Sequence, residues 1–191
     1  MIGLLGGSFD PIHHGHLLVA QAAVEALGLD ELRFVPAREQ PFKAGRHGAT
    51  AAQRAAMVRL AIDGEPRFRM EPMELERAGP SYTVDTLRAL AAREPGAAFT
   101  LLVGADAALE LALWREAPVL PTLARIVVFA RAGSPPPASP LVSGVIAVPS
   151  LDVSATAIRE RVATGRSIRY WVPDAVAAYV AEHGLYRNGT G

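Results

Sequence analysis

The residues best equipped for chemistry stand near the start of the chain, in Gly6-Gly7-Ser8-Phe9-Asp10-Pro11-Ile12-His13-His14-Gly15-His16. The string follows a short apolar run and opens an amphipathic one, so it reads as the turn between a strand and a helix. Glycines at such a turn let the backbone approach a ligand closely. The unpaired amides of a helix start attract phosphate. His13 and His16 are three residues apart, which puts them on a common side of a helical turn. Two imidazoles beside a helix N-terminus suit hydrogen bonding to phosphate oxygens.

Other readings of the string are weaker. A glycine turn flanked by surface histidines explains each residue singly but not the whole arrangement. The Gly-Lys-Ser/Thr ending of a Walker loop is missing, and so is the Gly-x-Gly-x-x-Gly spacing of a dinucleotide-binding turn. A His-x-x-His metal site needs a third ligand, for which Asp10 is nearest, and ranks below phosphate binding.

The elements that must carry this string follow from hydrophobic spacing. Ile2 to Leu5 predicts a buried strand ended by the tight turn Gly6-Gly7, and Gly15 to Leu27 a helix with Leu17, Leu18, Ala20, Gln21, Val24 and Leu27 in one stripe. Gly28 is a stop, and Leu32 to Val35 a second strand. This β-α-β opening implies an α/β fold with a central parallel sheet and right-handed crossovers. Residues 37–49 have no periodicity and form a basic loop containing Lys43. Thr50 caps a helix over 51–61, with Ala55, Met57, Val58 and Leu60 inward. Further strands are expected at Phe68 to Met70, Phe99 to Val103, Arg125 to Phe129 and Val145 to Val148. Further helices are expected at Tyr82 to Glu94, Ala107 to Trp114, Ala155 to Val162 and Asp174 to Ala181, with Pro173 in the first turn of the last. The proline-rich stretch 133–140 is a surface loop.

Composition narrows the function classes. The chain has 191 residues, half of them hydrophobic, which fits one domain over 1–191 with a C-terminal helical portion from about residue 154. It has no cysteine, so disulfides, thiolate nucleophiles and cysteine metal sites are excluded. Nineteen Lys+Arg balance nineteen Asp+Glu, and no extended basic helix or aromatic-basic strand pair points to nucleic acid. No stretch reaches the ~18 uncharged apolar residues of a membrane span, and no basic leader precedes the first apolar run. A cytoplasmic protein is the expectation. Tyr170 and Trp171 are aromatic residues for a homo-oligomer interface or for the interior.

The glycine-histidine string resembles the signature of the nucleotidyltransferase superfamily with the His-x-Gly-His motif. Within it, the chain resembles the bacterial nicotinate-nucleotide adenylyltransferases, and the likeness covers nearly the whole length. It recurs in Pro41-Phe42-Lys43, in Arg54 near Met57, in Ser81-Tyr82-Thr83-Val84-Asp85-Thr86-Leu87, in Gly104-Ala105-Asp106, in Trp114 and in Ser154-Ala155-Thr156-Ala157-Ile158-Arg159. The resemblance implies a Rossmann-like nucleotidyltransferase domain. The implied activity joins ATP and nicotinate mononucleotide into deamido-NAD and pyrophosphate, with Mg²⁺ accompanying ATP and no tightly bound organic cofactor. No protein metal ligand is assigned.

Roles carried by the resemblance are as follows. His13 and His16 bind the ATP phosphates, His16 nearest the reacting α-phosphate. Gly7, Ser8 and Phe9 line the cleft shared by both substrates through their amides. Lys43 contacts phosphate from its loop. Thr83 and Trp114 form the nicotinate pocket, and from physical chemistry alone the indole suits a core position equally well. Gly104 and Asp106 serve the ATP side, Asp106 by bonding ribose or placing the metal, or by capping the helix that follows. Ser154, Thr156 and Arg159 form a second phosphate site, where a hydroxyl pair, a helix start and a guanidinium converge. Arg54 either supports the cleft or lies on the solvated face of its helix.

Two positions depart from the family pattern. Phe42 stands where histidine is usual, and Ala155 where a second serine is usual. Amidated mononucleotide and phosphopantetheine are the alternative acceptors. A nucleotide sensor without catalysis is the alternative from another class, set against by the presence of His13, His16, Lys43 and Arg159 together.

Overall fold

Short apolar runs bounded by glycine, proline and charge form the strands, and the amphipathic runs between them form the crossovers. In the computed structural model, which describes residues 1–38, 48–131, 139–149 and 151–187, the strands are β1 (Ile2–Gly7), β2 (Glu31–Pro36), β3 (Phe68–Met70), β4 (Phe99–Gly104), β5 (Arg125–Arg131) and β6 (Gly144–Val148). They build one sheet in the order β3-β2-β1-β4-β5-β6, with every neighbouring pair parallel. The order reverses direction between β1 and β4, where Leu5 lies opposite Leu102. Ligands of such sheets bind beyond the strand C-termini at that reversal. The chain leaves these two strands at Gly7 and Gly104.

The helices are α1 (His14–Leu27), α2 (Ala51–Ile62), α3 (Met73–Glu76), α4 (Thr83–Arg93), α5 (Ala105–Leu109), α6 (Leu120–Leu123), α7 (Ala155–Ala163) and α8 (Asp174–Glu182). Side chains alternate across the sheet, so the central strands β1, β2, β4 and β5 feed two cores. Leu5, Phe34, Leu102 and Val127 join Ala20, Val24, Met57, Val58, Ile158 and Val176 in one core, which brings α1, α2, α7 and α8 to that face. Leu4, Val35, Leu101, Val103 and Val128 join Val84, Leu87, Leu90, Ala108 and Leu120 in the other, which brings α4, α5 and α6 to the opposite face. No described helix is long and apolar enough to cross a membrane.

Several local expectations change. β1 runs on through Gly6 and Gly7 rather than turning there, because both pair with β2. Leu18 and Leu60 are exposed; their helices bury Ala20, Ala23 and Val24, and Ala55, Met57, Val58 and Ile62 instead. The expected helix from Ala107 to Trp114 is two pieces. α5 starts at Ala105 and stops at Leu109, a single 3₁₀ turn covers Leu111–Leu113, and Trp114 follows it with an extended backbone. Ala108 and Leu111 are buried and Leu109 and Leu113 exposed on either side of that break. Pro173 is the extended residue before α8, not part of its first turn. Trp171 packs against the core with the Arg161 guanidinium 4.7 Å from its ring centre, and its carbonyl accepts the His14 amide at 3.2 Å. Tyr170 remains 77% exposed. Most of the proline-rich stretch 133–140 lies outside the described residues.

Candidate active site

The turn after β1 is a buried structure, not a surface loop. Phe9 takes a left-handed backbone (φ 49°) that is costly for a bulky residue, and its ring is 2% exposed. The ring meets Phe34 edge-on at 5.7 Å and His16 at 5.0 Å. A Cβ on Gly7 would lie 3.0 Å from that ring, so glycine is what lets Phe9 fold beneath the turn. Packing of this quality stabilises the backbone that presents the amides of residues 7–9.

His13 is the cap residue of α1 and His16 sits in its first turn. Their rings stack at 3.7 Å. The His13 amide donates to His16 Nδ1 at 3.2 Å, which leaves the proton of a neutral His16 on Nε2 as a donor. A Cβ on Gly15 would come within 3.0 Å of His13 Nδ1 and 3.8 Å of the Val153 carbonyl oxygen. Gly15 therefore lets the His13 ring lie across the helix start and brings the approach to α7 against it.

Burial, reinforced by His14, pulls the His13 pKa down to about 4. Burial and then His13 pull His16 well below the ordinary histidine value. Both imidazoles are neutral near pH 7. Between pH 6.5 and about 4 the unfolded chain takes up protons that folded His13 refuses, so stability must fall as the solution is acidified. Thermal midpoints of wild type and His13→Gln should diverge at pH 7 and converge towards pH 4.5; parallel curves would contradict the neutral assignment.

The second helix start at this end of the sheet is that of α7. Ser154 caps it, its Oγ accepting the Ala157 amide at 3.2 Å. Arg159 donates to Thr156 Oγ1 at 3.2 Å and to the Asp10 main-chain oxygen at 2.8 Å, which ties this helix to the β1 turn. Neither α1 nor α7 has an acidic residue in its first turn, so both helix starts remain favourable to anions. Ala155 is the first residue of α7, and the capping role falls to Ser154 alone.

Arg54 resolves in favour of the cleft. It is 1% exposed, and its guanidinium donates to the Ser8 oxygen at 2.6 Å and the Arg38 oxygen at 3.0 Å. One buried cation thus joins the β1 turn to Arg38, just after β2. Lys43 and Phe42 lie outside the described residues.

A second group sits around α4, on the other face of the sheet. Thr83 is its first residue. Tyr82, just before it, lies under the Arg115 guanidinium at 4.8 Å, and Arg115 also reaches Asp85 at 3.5 Å. These contacts hold the segment that carries Trp114 beside the start of α4. Trp114 is half-buried against the second core, so it is both a packing residue and a surface open on one side. Gly104 ends β4, and a Cβ there would crowd the Phe129 ring at 3.3 Å. Gly104, not Asp106, precedes and caps α5; Asp106 is exposed in its first turn, which leaves its carboxylate open.

Residue spacing gave no sign of Glu74. It is a buried carboxylate that accepts the Thr86 hydroxyl at 2.8 Å. Burial pushes its pKa up, opposed by hydrogen bonds from Thr86 and Ser81. Ser81 in turn accepts the Arg38 amide at 3.1 Å, so Glu74 braces the approach to α4. The hydroxyls of the Ser81–Leu87 stretch were the available signal. Asp10 belongs to a buried hydrogen-bonded cluster; among the described residues no group of three His, Asp or Glu side chains is placed to hold an ion.

Comparison with known proteins follows the same lines. Residues 4–161 match the model of the cytidylyltransferase-like family. A protein of Roseiflexus sp. named "Probable nicotinate-nucleotide adenylyltransferase" is 48% identical over 97% of this chain and 98% of its own. One of the same name from Thermus thermophilus is 47% identical over 97% of this chain and 99% of its own. Among solved structures, the Plasmodium falciparum nicotinic acid mononucleotide adenylyltransferase complexed with NaAD superposes with a TM-score of 0.78 at 19% identity, covering 97% of this chain and 96% of that one. The chain belongs to the cytidylyltransferase-like family and, within it, to the nicotinate-nucleotide adenylyltransferases.

Proposed function

We propose that this protein transfers the adenylyl group of ATP to nicotinate mononucleotide, releasing pyrophosphate. The observation that carries the mechanism is the stacked pair of neutral imidazoles at the start of α1, with His16 Nε2 fixed as a donor by the His13 amide on Nδ1. A preset donor aimed at phosphate oxygen stabilises charge as it develops and needs no reorganisation during reaction.

The attacking phosphate oxygen is already anionic, since a phosphate monoester has its second pKa near ~6. No general base is required. One oxygen of the mononucleotide phosphate bonds to the α-phosphorus of ATP as the bond to the β-phosphate oxygen breaks, and pyrophosphate departs on the opposite side with its electrons. The protein's part is alignment and charge stabilisation. His16 serves the α-phosphate, His13 the phosphates beside it, and Arg159 with Ser154, Thr156 and the α7 amides the departing end. The amides of Gly7, Ser8 and Phe9 lie between the substrates, and Gly104 and Asp106 serve the adenosine side. Lys43 adds positive charge at the phosphates. Mg²⁺ arrives as part of the ATP substrate; the neutral imidazoles, hydroxyls and guanidinium of the phosphate end suit phosphate oxygens better than a resident cation.

Thr83 and Trp114 form the acceptor pocket, the α4 start receiving the nicotinate carboxylate and the indole lying against the ring. An aromatic platform contributes about 0.5–1.5 kcal/mol beyond buried area. Trp114→Ala should therefore raise KM for nicotinate mononucleotide by about 2–10-fold and leave KM for ATP nearly unchanged. Steady-state kinetics with each substrate varied checks this. Equal losses for both substrates, or none, would return Trp114 to the core.

A further inference from the structure

Four chain segments converge on one carboxylate that the proposed reaction does not use. Asp10 is 2% exposed. Its Oδ2 accepts the Gly48 amide at 2.7 Å, and its Oδ1 accepts the Ala49 amide at 3.1 Å and the Tyr186 hydroxyl at 2.7 Å. Arg159 approaches without closing: Nη1 donates to the Asp10 main-chain oxygen and stays 4.0 Å from Oδ2.

A carboxylate and a guanidinium this near each other favour a direct two-pronged pair. Such a pair would fold Arg159 onto Asp10 and divert its donors from the α7 start. Competing donors on the carboxylate oppose that collapse. Among the described residues these include two backbone amides fixed by the chain and one side chain from the far end of the sequence. Tyr186 is set in place by a left-handed backbone (φ 62°). Its ring lies over Gly48, where a Cβ would be 2.8 Å from the ring and 3.2 Å from Arg159 Cδ. Burial, together with the Asp10 charge, pushes the phenol pKa far up, so the hydroxyl keeps its proton.

We propose that Tyr186 is a positioning residue for adenylyl transfer: by donating to Asp10, it keeps the Arg159 guanidinium directed at the substrate phosphates instead of paired with the carboxylate. The inference rests on the reading of Arg159 as a phosphate-binding residue.

Tyr186→Phe removes the hydroxyl and keeps the ring over Gly48. KM for ATP should rise about tenfold, equivalent to ~1.4 kcal/mol of lost binding, while kcat stays within about twofold. In an Arg159→Ala background the same substitution should add nothing, because there is no guanidinium left to misdirect. Thermal unfolding of all four proteins is followed in parallel, with kinetics recorded well below the lowest midpoint so that KM reports on folded enzyme. An unchanged KM for ATP in Tyr186→Phe, beside an impaired Arg159→Ala, would overturn the positioning role alone. An equal loss from Tyr186→Phe in both backgrounds would overturn it too, by making the hydroxyl purely structural. A wild-type KM for ATP in Arg159→Ala would remove the phosphate role of Arg159 and this inference with it.

Discussion

His16→Ala should lower kcat/KM by roughly 10²–10³-fold, the loss expected when one preset donor to a developing charge is removed. The ring packs against Phe9 and His13, so its deletion also costs some stability, but the fold stays cooperative because both neighbours are anchored elsewhere. His16→Gln retains an N–H donor at similar reach and should recover part of the loss, whereas a general base lost to glutamine would not be replaced. The recovery separates donation from proton abstraction. Circular dichroism, thermal unfolding and steady-state kinetics on the same preparations decide the matter. Near-wild-type turnover in folded His16→Ala would remove His16 from the reaction.

Arg54→Met is the second large effect. Methionine fills much of the volume but leaves the Ser8 and Arg38 carbonyls without their donor. A hydrogen bond to a charged group contributes ~1.5–3 kcal/mol, offset by relief from burying a cation, for which burial already lowers the Arg54 pKa. A net loss of roughly 2–3 kcal/mol corresponds to a fall of about 5–10 °C in Tm for a chain of this size. Activity should fall further, about 10²-fold in kcat/KM, because displacing the β1 turn by a fraction of an ångström misaligns both substrates. A lower Tm with unchanged kinetics would make Arg54 a purely structural residue.

Arg54 also marks where reading from residues alone stops. The strand and helix that begin the chain were legible because apolar runs and helical spacing act locally, whereas the turn falls after Gly7 and not at Gly6-Gly7. Local signals also place Thr50, which caps α2 through Gln53 as its type and position suggest. Nothing local says that a guanidinium on a helix will be 1% exposed. That follows from β1 and the residues after β2 converging above α2, a long-range consequence of sheet order. Asp10 shows the same limit. Its nearness to His13 suggested a ligand set, yet Gly48, Ala49 and Tyr186 claim its oxygens, and Tyr186 lies 176 residues away. The helix expected through Trp114 failed for a different reason. Its apolar residues are spaced well enough for one continuous helix, so their spacing does not encode the break after Leu109.

His13 and His16 were legible as a pair facing one way; their charge state was not. Spacing alone leaves two imidazoles free to be cations, which would attract phosphate more strongly in the ground state. Burial makes them neutral, and their worth then lies in direction, not charge. Arg159 and the helix starts carry the positive potential instead.

The most direct test of the central claim is a steady-state comparison of three acceptors, nicotinate mononucleotide, nicotinamide mononucleotide and phosphopantetheine, each with ATP and Mg²⁺ and with pyrophosphate release as the readout. The account predicts that nicotinate mononucleotide has the highest kcat/KM, that the amide is turned over less efficiently, and that phosphopantetheine gives no release above background. Equal or greater kcat/KM for phosphopantetheine, or no pyrophosphate from any acceptor with a folded protein, would contradict it.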